Sequence, residues 1–393
     1  MSEQDRWLLP EGIEEVLPPL AGSLEALRRR LLDMFSTWGY ELVIPPFIEY
    51  VDSLLTGTGN DLDLQTFKLV DQLSGKLMGI RADMTPQVAR VDAHHLRRDV
   101  PTRLCYIGTV LHTRPGGFGG TRSPLQVGAE LYGHHGVQSD AEILLLMVET
   151  LAASGIANAH VDLGHVGIYH ALAQQAQLSA SQEQALFEAL QRKATPELAA
   201  CVEQWRLPMA SREMLLALVE LNGGDEVLEE ARLRLAGGGA AVLDAIDYLA
   251  ALADAARAWL PGATFHYDLA ELRGYHYHTG VVFAAFVPGH GQAIAQGGRY
   301  DDIGKVFGRA RPATGFSTDL KTLVALSAPP VAQPRGIFVP ADAHNNALAK
   351  VRELRQQGER VIYGLPNTSE DPKALGCDRL LSWNGERWVV VEV

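Results

Sequence analysis

The chain has 393 residues, 47% of them apolar and 21% charged, a balance that excludes disordered, collagen-like and low-complexity classes. Lysine and arginine total 34 against 47 acids, and the net charge of −13 counts against a broad, nonspecific nucleic-acid binder. A chain of this length has room for two or three domains, the largest with a proper core.

Residues 20–38 place apolar side chains at helical spacing, with Arg28 to Arg30 on the solvent side and Gly39 set to end the helix. Residues 40–49 read as a strand stopped by the pair Pro45-Pro46. Residues 67–70 and 77–81 read as strands around the turn Ser74-Gly75, and a helix is expected over 86–96. Residues 103–112 and 125–132 read as two strands paired antiparallel through a glycine-rich loop. An apolar helix over 139–153 follows, with Ser139-Asp140 as its cap candidate.

From about 170 to 260, Ala, Leu, Glu and Gln dominate, which predicts a helical insertion. Strand character returns at 264–269 and 279–286, residues 297–301 read as a turn, and 312–326 as a strand running into a helix. The core is thus expected over 1–325, with a linker at 326–334 by its proline content. Residues 335–393 read as a small α/β tail of strand, helix, strand and one or two more strands.

Four constellations carry candidate chemistry. On a strand, Arg81, Asp83 and Thr85 share one face and present a cation, an anion and a hydroxyl, although a hydrated sheet edge fits too. Gln126, Gly128 and Glu130 share another face; the glycine leaves room for an approach to the sheet, and amide plus carboxylate suit an ammonium group or an imidazole N–H. A solvated face is the plainer reading. In residues 271–280, Arg273 suits a carboxylate or phosphate, and Tyr277 and His278 suit a ring-sized pocket, against simple strand packing. Gly297-Gly298-Arg299-Tyr300-Asp301 allows close backbone approach, or is merely a hairpin turn.

The glycine loop 116–120, flanked by Arg114 and Arg122, lacks the P-loop lysine and reads as a hairpin tip. No H-E-x-x-H pattern or Cys/His quartet exists, so no metal site is expected. Cys105, Cys201 and Cys377 are too scattered for a disulfide framework, which suits a reducing cytoplasm. The start has neither the basic nor the apolar region of a signal peptide, and no apolar run reaches the roughly 20 residues that cross a bilayer.

In this order, the constellations resemble the class II aminoacyl-tRNA synthetase core, specifically histidyl-tRNA synthetase, over about residues 8–325. Residues 39–49 look like motif 1, which builds the dimer interface in that family. Residues 81–85 and 103–130 look like the sheet around motif 2, and 315–320 like motif 3. Residues 272–280 are similar to the histidine-specific R-G-L-D-Y-Y-T-G segment, and 297–301 match its G-G-R-Y-D segment. The implied fold is α+β: an antiparallel sheet flanked by helices, with a helical insertion and a small C-terminal domain. The resemblance implies a histidine-like pocket lined by Asp83, Thr85, Gln126, Glu130, Arg273, Tyr277 and His278. Asp83 stands for the family's ammonium-binding glutamate, and His278 for a tyrosine.

The departures carry the functional reading. Motif 2 of the synthetases is F-R-x-E, but here the stretch is Leu111-His112-Thr113-Arg114. Motif 3 ends G-L-x-R, but here it is Asp319-Leu320-Lys321-Thr322. Both arginines that grip ATP are replaced, and the loss of one such electrostatic clamp costs about 10²–10³ in rate. Lys321 or Arg114 are the residues that could stand in, although lysine lacks the bidentate fork. The tail is short and acidic around Glu370-Asp371, which suits tRNA reading poorly.

This profile is similar to the regulatory subunits of ATP phosphoribosyltransferase. That resemblance implies no catalytic residue and no cofactor. It implies a short-form catalytic subunit as partner, required activation of that subunit in the first step of histidine biosynthesis, and histidine as feedback effector. It also implies synthetase-like dimers within a hetero-octamer, and no nucleic acid or membrane as partner. The alternative is a divergent histidyl-tRNA synthetase or a free-standing amino-acid ligase.

Overall fold

The computed structural model describes residues 7–56, 60–115, 120–274, 277–327, 335–343, 347–368 and 370–393, with the backbone alone at 60 and 61. The chain divides into two compact units, one over 1–17 and 24–328, the other over 18–23 and 329–393.

The larger unit is built on a nine-stranded sheet. Its spatial order is Glu41–Leu42, Thr102–Thr109, Leu125–Tyr132, Ala313–Asp319, Ala295–Arg299, Val281–Phe286, His160–His165, His266–Asp268 and Asn222–Gly223. All pairings are antiparallel except those of Glu41–Leu42 with Thr102–Thr109 and of His160–His165 with His266–Asp268. The Leu20–Thr37 helix buries Leu24, Leu27, Leu31 and Phe35, spaced three or four apart, in the main core. Gly39 ends it at φ 80°, where Tyr40 N–H returns to the Phe35 carbonyl at 3.0 Å. Between Val166 and Trp259 the chain is almost wholly helical, and the Ala240–Trp259 helix packs on the Val137–Ala153 helix.

Several sequence expectations change. The expected 40–49 strand is two pieces in different sheets, Glu41–Leu42 and Ile48–Tyr50, separated at Pro45-Pro46. The strand expected over 77–81 ends at Ile80, so Arg81, Asp83 and Thr85 do not share a strand face. The helix expected over 86–96 begins at Thr85 and widens over Val91–Leu96 into a π-helical turn that buries Asp92 against Arg311, 2.8 Å away. Ser139 and Asp140 do not cap their helix, which starts at Val137. The glycine loop lies outside the described residues at 116–119, as does the 328–334 part of the linker.

The expected turn at 297–301 is instead the Ala295–Arg299 strand in the middle of the sheet, running on to Tyr300 and Asp301. Its glycines serve close packing: a side chain at Gly297 would overlap the Gly315 carbonyl, and one at Gly298 the Val281 carbonyl at 2.5 Å. The strand delivers Arg299 to Asp140. The Arg299 Nε and Nη2 reach the two Asp140 oxygens at 3.0 and 2.9 Å, and Nη2 also donates to Ser139 Oγ at 2.8 Å. Both partners are buried, so the pair ties helix to sheet where water cannot replace either charge.

In the smaller unit, the strands run Arg360–Tyr363, Gly336–Val339, Cys377–Trp383, Trp388–Glu392 in spatial order. The Ala347–Gln356 helix packs Val351 and Leu354 against Ile337, Val339 and Leu381.

Asp140→Ala leaves the Arg299 guanidinium buried without its main anion, and the expected loss is about 3–5 kcal/mol of unfolding free energy. Urea denaturation measures it; a loss under about 1 kcal/mol, the worth of a surface pair, would show that the charge is not sealed from water.

Candidate functional site

Two adjoining cavities open on one face of the large sheet. The smaller has a volume of about 350 Å³ and the larger about 1060 Å³. Leu62, Gln65, Asp83, Arg273, Gln296 and Ser317 line both.

The floor of the smaller cavity is set by Glu130, on the Leu125–Tyr132 strand. Its side chain is 1% exposed. Oε1 accepts from Tyr106 Oη at 2.9 Å and from Thr85 Oγ1 at 3.2 Å, and Oε2 accepts from Tyr300 Oη. Gly315 is its register partner across the strand pair, and a side chain there would overlap the carboxylate. Burial pushes the Glu130 carboxyl up to about 8; the Tyr300, Tyr106 and Thr85 hydroxyls pull it back, and the nearby Asp83 charge raises it further.

Asp83 sits between the Leu77–Ile80 strand and the Thr85–Arg90 helix. Its Oδ1 accepts from Thr85 N–H at 3.0 Å and from Gln126 Nε2 at 2.7 Å. The Gln126 amide is doubly engaged, because its Oε1 also accepts from Met84 N–H at 2.9 Å. Gln126 therefore holds Asp83 in place and lines the larger cavity rather than the smaller one. Arg81 leaves the constellation: its guanidinium donates to the carbonyls of Thr109 and Pro45 at 2.9 and 2.8 Å.

Tyr277 stacks on Tyr300 with ring centroids 4.9 Å apart, and its buried hydroxyl has no hydrogen-bond partner among the described residues. His278 packs edge-on against Tyr277 at 5.4 Å. Burial lowers its imidazole to about 4, so the ring is neutral. Its Nδ1 lies 3.2 Å from the Arg299 carbonyl and must carry the hydrogen, which leaves Nε2 an acceptor.

Arg273 spreads over the Phe286 ring at 4.9 Å and stands 3.6 Å from Glu271 Oε2. Its buried Nη1 has no partner among the described residues. Orphaned polar atoms are expensive in a finished core and natural where a ligand completes them. The smaller cavity thus joins carboxylates at Asp83, Glu130 and Glu271 to one guanidinium and a tyrosine wall. That set suits a small zwitterion: its ammonium and ring N–H on the acids, its carboxylate on Arg273.

The larger cavity lacks the charge for a polyphosphate. Among the described residues, Arg273 is the sole lysine or arginine lining either cavity. His112 bonds through Nε2 to the Ala82 carbonyl at 2.9 Å. Asp319 caps the Leu320–Leu326 helix: it accepts from the N–H groups of Lys321 and Thr322, from Thr322 Oγ1 at 2.8 Å, and from Leu125 N–H at 2.9 Å. The anion is locked on the cavity wall beside Thr322. Neither proposed stand-in reaches the site. Lys321 Nζ is held by Glu14 and Ser123 at 3.0 and 3.2 Å, and Arg114 is exposed and lines neither cavity.

Residues 12–323 match the family model described as histidyl-tRNA synthetase, and residues 334–391 match the one described as ATP phosphoribosyltransferase subunit HisZ C-terminal domain. The ATP phosphoribosyltransferase regulatory subunit of Thioalkalivibrio sulfidiphilus is 62% identical and covers 100% of both chains. The chain belongs to the ATP phosphoribosyltransferase regulatory subunit family. The regulatory subunit of Nitrosococcus oceani is 55% identical over 99% of this chain and 98% of its own. Among solved structures, an ATP phosphoribosyltransferase regulatory subunit/histidyl-tRNA synthetase from Bacillus halodurans superposes with TM-score 0.83 at 26% identity, covering 94% and 95% of the two chains. Histidyl-tRNA synthetase from Nostoc shares the fold, with TM-score 0.80 at 18% identity, covering 98% and 97%. As a regulatory subunit of ATP phosphoribosyltransferase the chain is not itself a catalyst, and membership decides against an active synthetase or ligase.

Sequence reasoning missed Tyr106 and undervalued Tyr300. The signal for Tyr106 was Gly128, its register partner: a side chain at 128 would overlap the Tyr106 hydroxyl. The room inferred beside that glycine is filled by this cross-strand phenol.

The raised carboxyl at Glu130 links stability to pH. Between the ordinary 4.5 and about 8, the unfolded chain has released this proton and the folded chain keeps it. The group's contribution to stability therefore falls as pH rises through that window. Glu130→Gln cannot ionise, so it should gain on the wild type between about pH 5 and 8 in urea unfolding. A difference that stays constant across that range would remove the buried acid.

Proposed function

We propose that the chain senses histidine in its smaller cavity and activates a short-form catalytic subunit that joins ATP to phosphoribosyl pyrophosphate. One observation carries this reading: the amino-acid groups at Asp83, Glu130, Arg273 and Tyr277 gather around a cavity, while the adjoining cavity carries His112 and Thr322 where the synthetase motifs have arginines, and shares only Arg273 as a guanidinium among the described residues. Thr85 and Gln126 position Glu130 and Asp83, and His278 receives a ring N–H in place of the synthetase phenol. A site that holds an amino acid and cannot activate it is suited to sensing. Feedback requires that histidine bind the inhibited assembly more tightly than the active one, since equal affinity shifts nothing.

The core is taken as 1–325, the linker as 326–334 and the tail as 335–393. Self-association as a synthetase-like dimer is supported by apolar side chains left exposed in the motif 1 segment, Ile44 at 82% and Leu42 at 45%. The hetero-octamer and the cytoplasmic setting follow from the family resemblance; no described helix is long and apolar enough to cross a membrane.

Adding the chain to the short catalytic subunit with ATP and phosphoribosyl pyrophosphate should raise turnover; unchanged turnover defeats the activating role. Histidine-dependent ATP–pyrophosphate exchange by the chain alone should be absent.

Calorimetric titration with histidine tests the pocket. Glu130→Ala or Arg273→Ala should weaken binding by about 1.5–3 kcal/mol, the range for hydrogen bonds to charged groups. Full affinity in both variants places the effector elsewhere.

A further inference from the structure

One wall of the smaller cavity comes from outside the synthetase-like sheet. Phe187 and Gln191 line it, and both lie on the Ala180–Gln191 helix of the insertion. A complete capping box at Ser179 and Gln182 fixes the start of that helix, and Leu186 and Leu190 anchor it in the core. Past its end, Lys193 adopts φ 50° and sends Nζ to Asp268 Oδ2, 2.7 Å away.

Asp268 is 5% exposed and ends its strand next to the turn that carries Arg273. Its Oδ1 accepts from Ala270 N–H and its carbonyl from Glu271 N–H, both at 3.0 Å. Glu271 Oε1 in turn accepts from Arg273 N–H at 2.9 Å. A run of polar contacts therefore leads from the insertion to the guanidinium at the cavity. Asp162, Asp268 and Glu271 also form one acidic cluster, with Lys193 and Arg273 as the facing cations and the His266 imidazole 3.2 Å from Asp162.

We propose that the helical insertion is part of the amino-acid site, with Phe187 and Gln191 as its wall. Lys193 is a positioning residue that, through Asp268, holds the 268–273 turn so that Arg273 faces the ligand carboxylate. This rests on the smaller cavity being the amino-acid site. Without Lys193, the buried Asp268 has lost its cation, and the acidic cluster competes with the ligand for Arg273.

The test titrates the full-length chain with L-histidine and with histamine, which lacks the carboxylate. Lys193→Ala should weaken histidine about tenfold or more, as for a lost charged hydrogen bond, and leave histamine unchanged. Lys193→Arg should restore histidine binding, and Phe187→Ala should weaken both ligands. Undiminished histidine affinity in Lys193→Ala, or equal loss for both ligands, overturns the positioning role. Hydrogen exchange without ligand gives an independent arm: residues 268–274 should exchange faster in Lys193→Ala than in Lys193→Arg, and equal rates overturn the latch. If the wild type binds no histidine, the amino-acid reading itself fails, while the exchange arm still decides whether Lys193 holds the turn.

Discussion

A buried carboxyl group in the middle of a sheet is the constraint around which this molecule is arranged. Ionised acids are rarely buried without cations, because desolvation costs several kcal/mol. Glu130 instead meets three hydroxyls, from Thr85, Tyr106 and Tyr300. Room for it requires a bare backbone at Gly315, and room for Tyr106 requires one at Gly128. Four segments far apart in sequence are thus committed to one acid. A packed core gains nothing from such a group, but a site that must recognise an N–H does.

The two adjoining cavities on this sheet differ in the groups that line them. The acids, the phenols and Arg273 gather around the smaller one. In the larger one, His112 and Thr322 stand where the synthetase motifs have arginines, and Asp319 adds an anion beside them. Asp319 makes the change hard to reverse by a single substitution: its carboxylate organises the Leu320–Leu326 helix and anchors Leu125, so it is structural as well as repulsive. Lysine cannot compensate from position 321, because Glu14 and Ser123 already hold its ammonium.

The Gly297 to Asp301 segment shows how one motif serves two ends. Its glycines let adjacent strands close up, its arginine is consumed by Asp140, and its tyrosine reaches Glu130. The arginine is therefore scaffold although it lies beside a ligand site. Arg273, by contrast, has no partner for its buried Nη1 among the described residues.

Much of this was legible in the residue order. Period-two alternation placed Gln126 and Glu130 on one face, and apolar spacing placed the helices that bury Leu31 and Leu144. The missing arginines at 112 and 322 followed from the resemblance to the synthetase motifs, because a short motif fixes which residue type stands at each position. Tertiary structure decided the rest. Whether a glycine pair turns or packs depends on what lies across it, and Gly297 faces a backbone carbonyl. Whether Arg81 joins the cavity depends on where its strand stops, and it stops one residue short. Tyr106, Phe187 and Lys193 carry no local signal, since each acquires its role from a partner 22 to 75 residues away or farther: Gly128, the cavity, Asp268. Periodicity dictates which way a side chain points; only folding determines what it meets there.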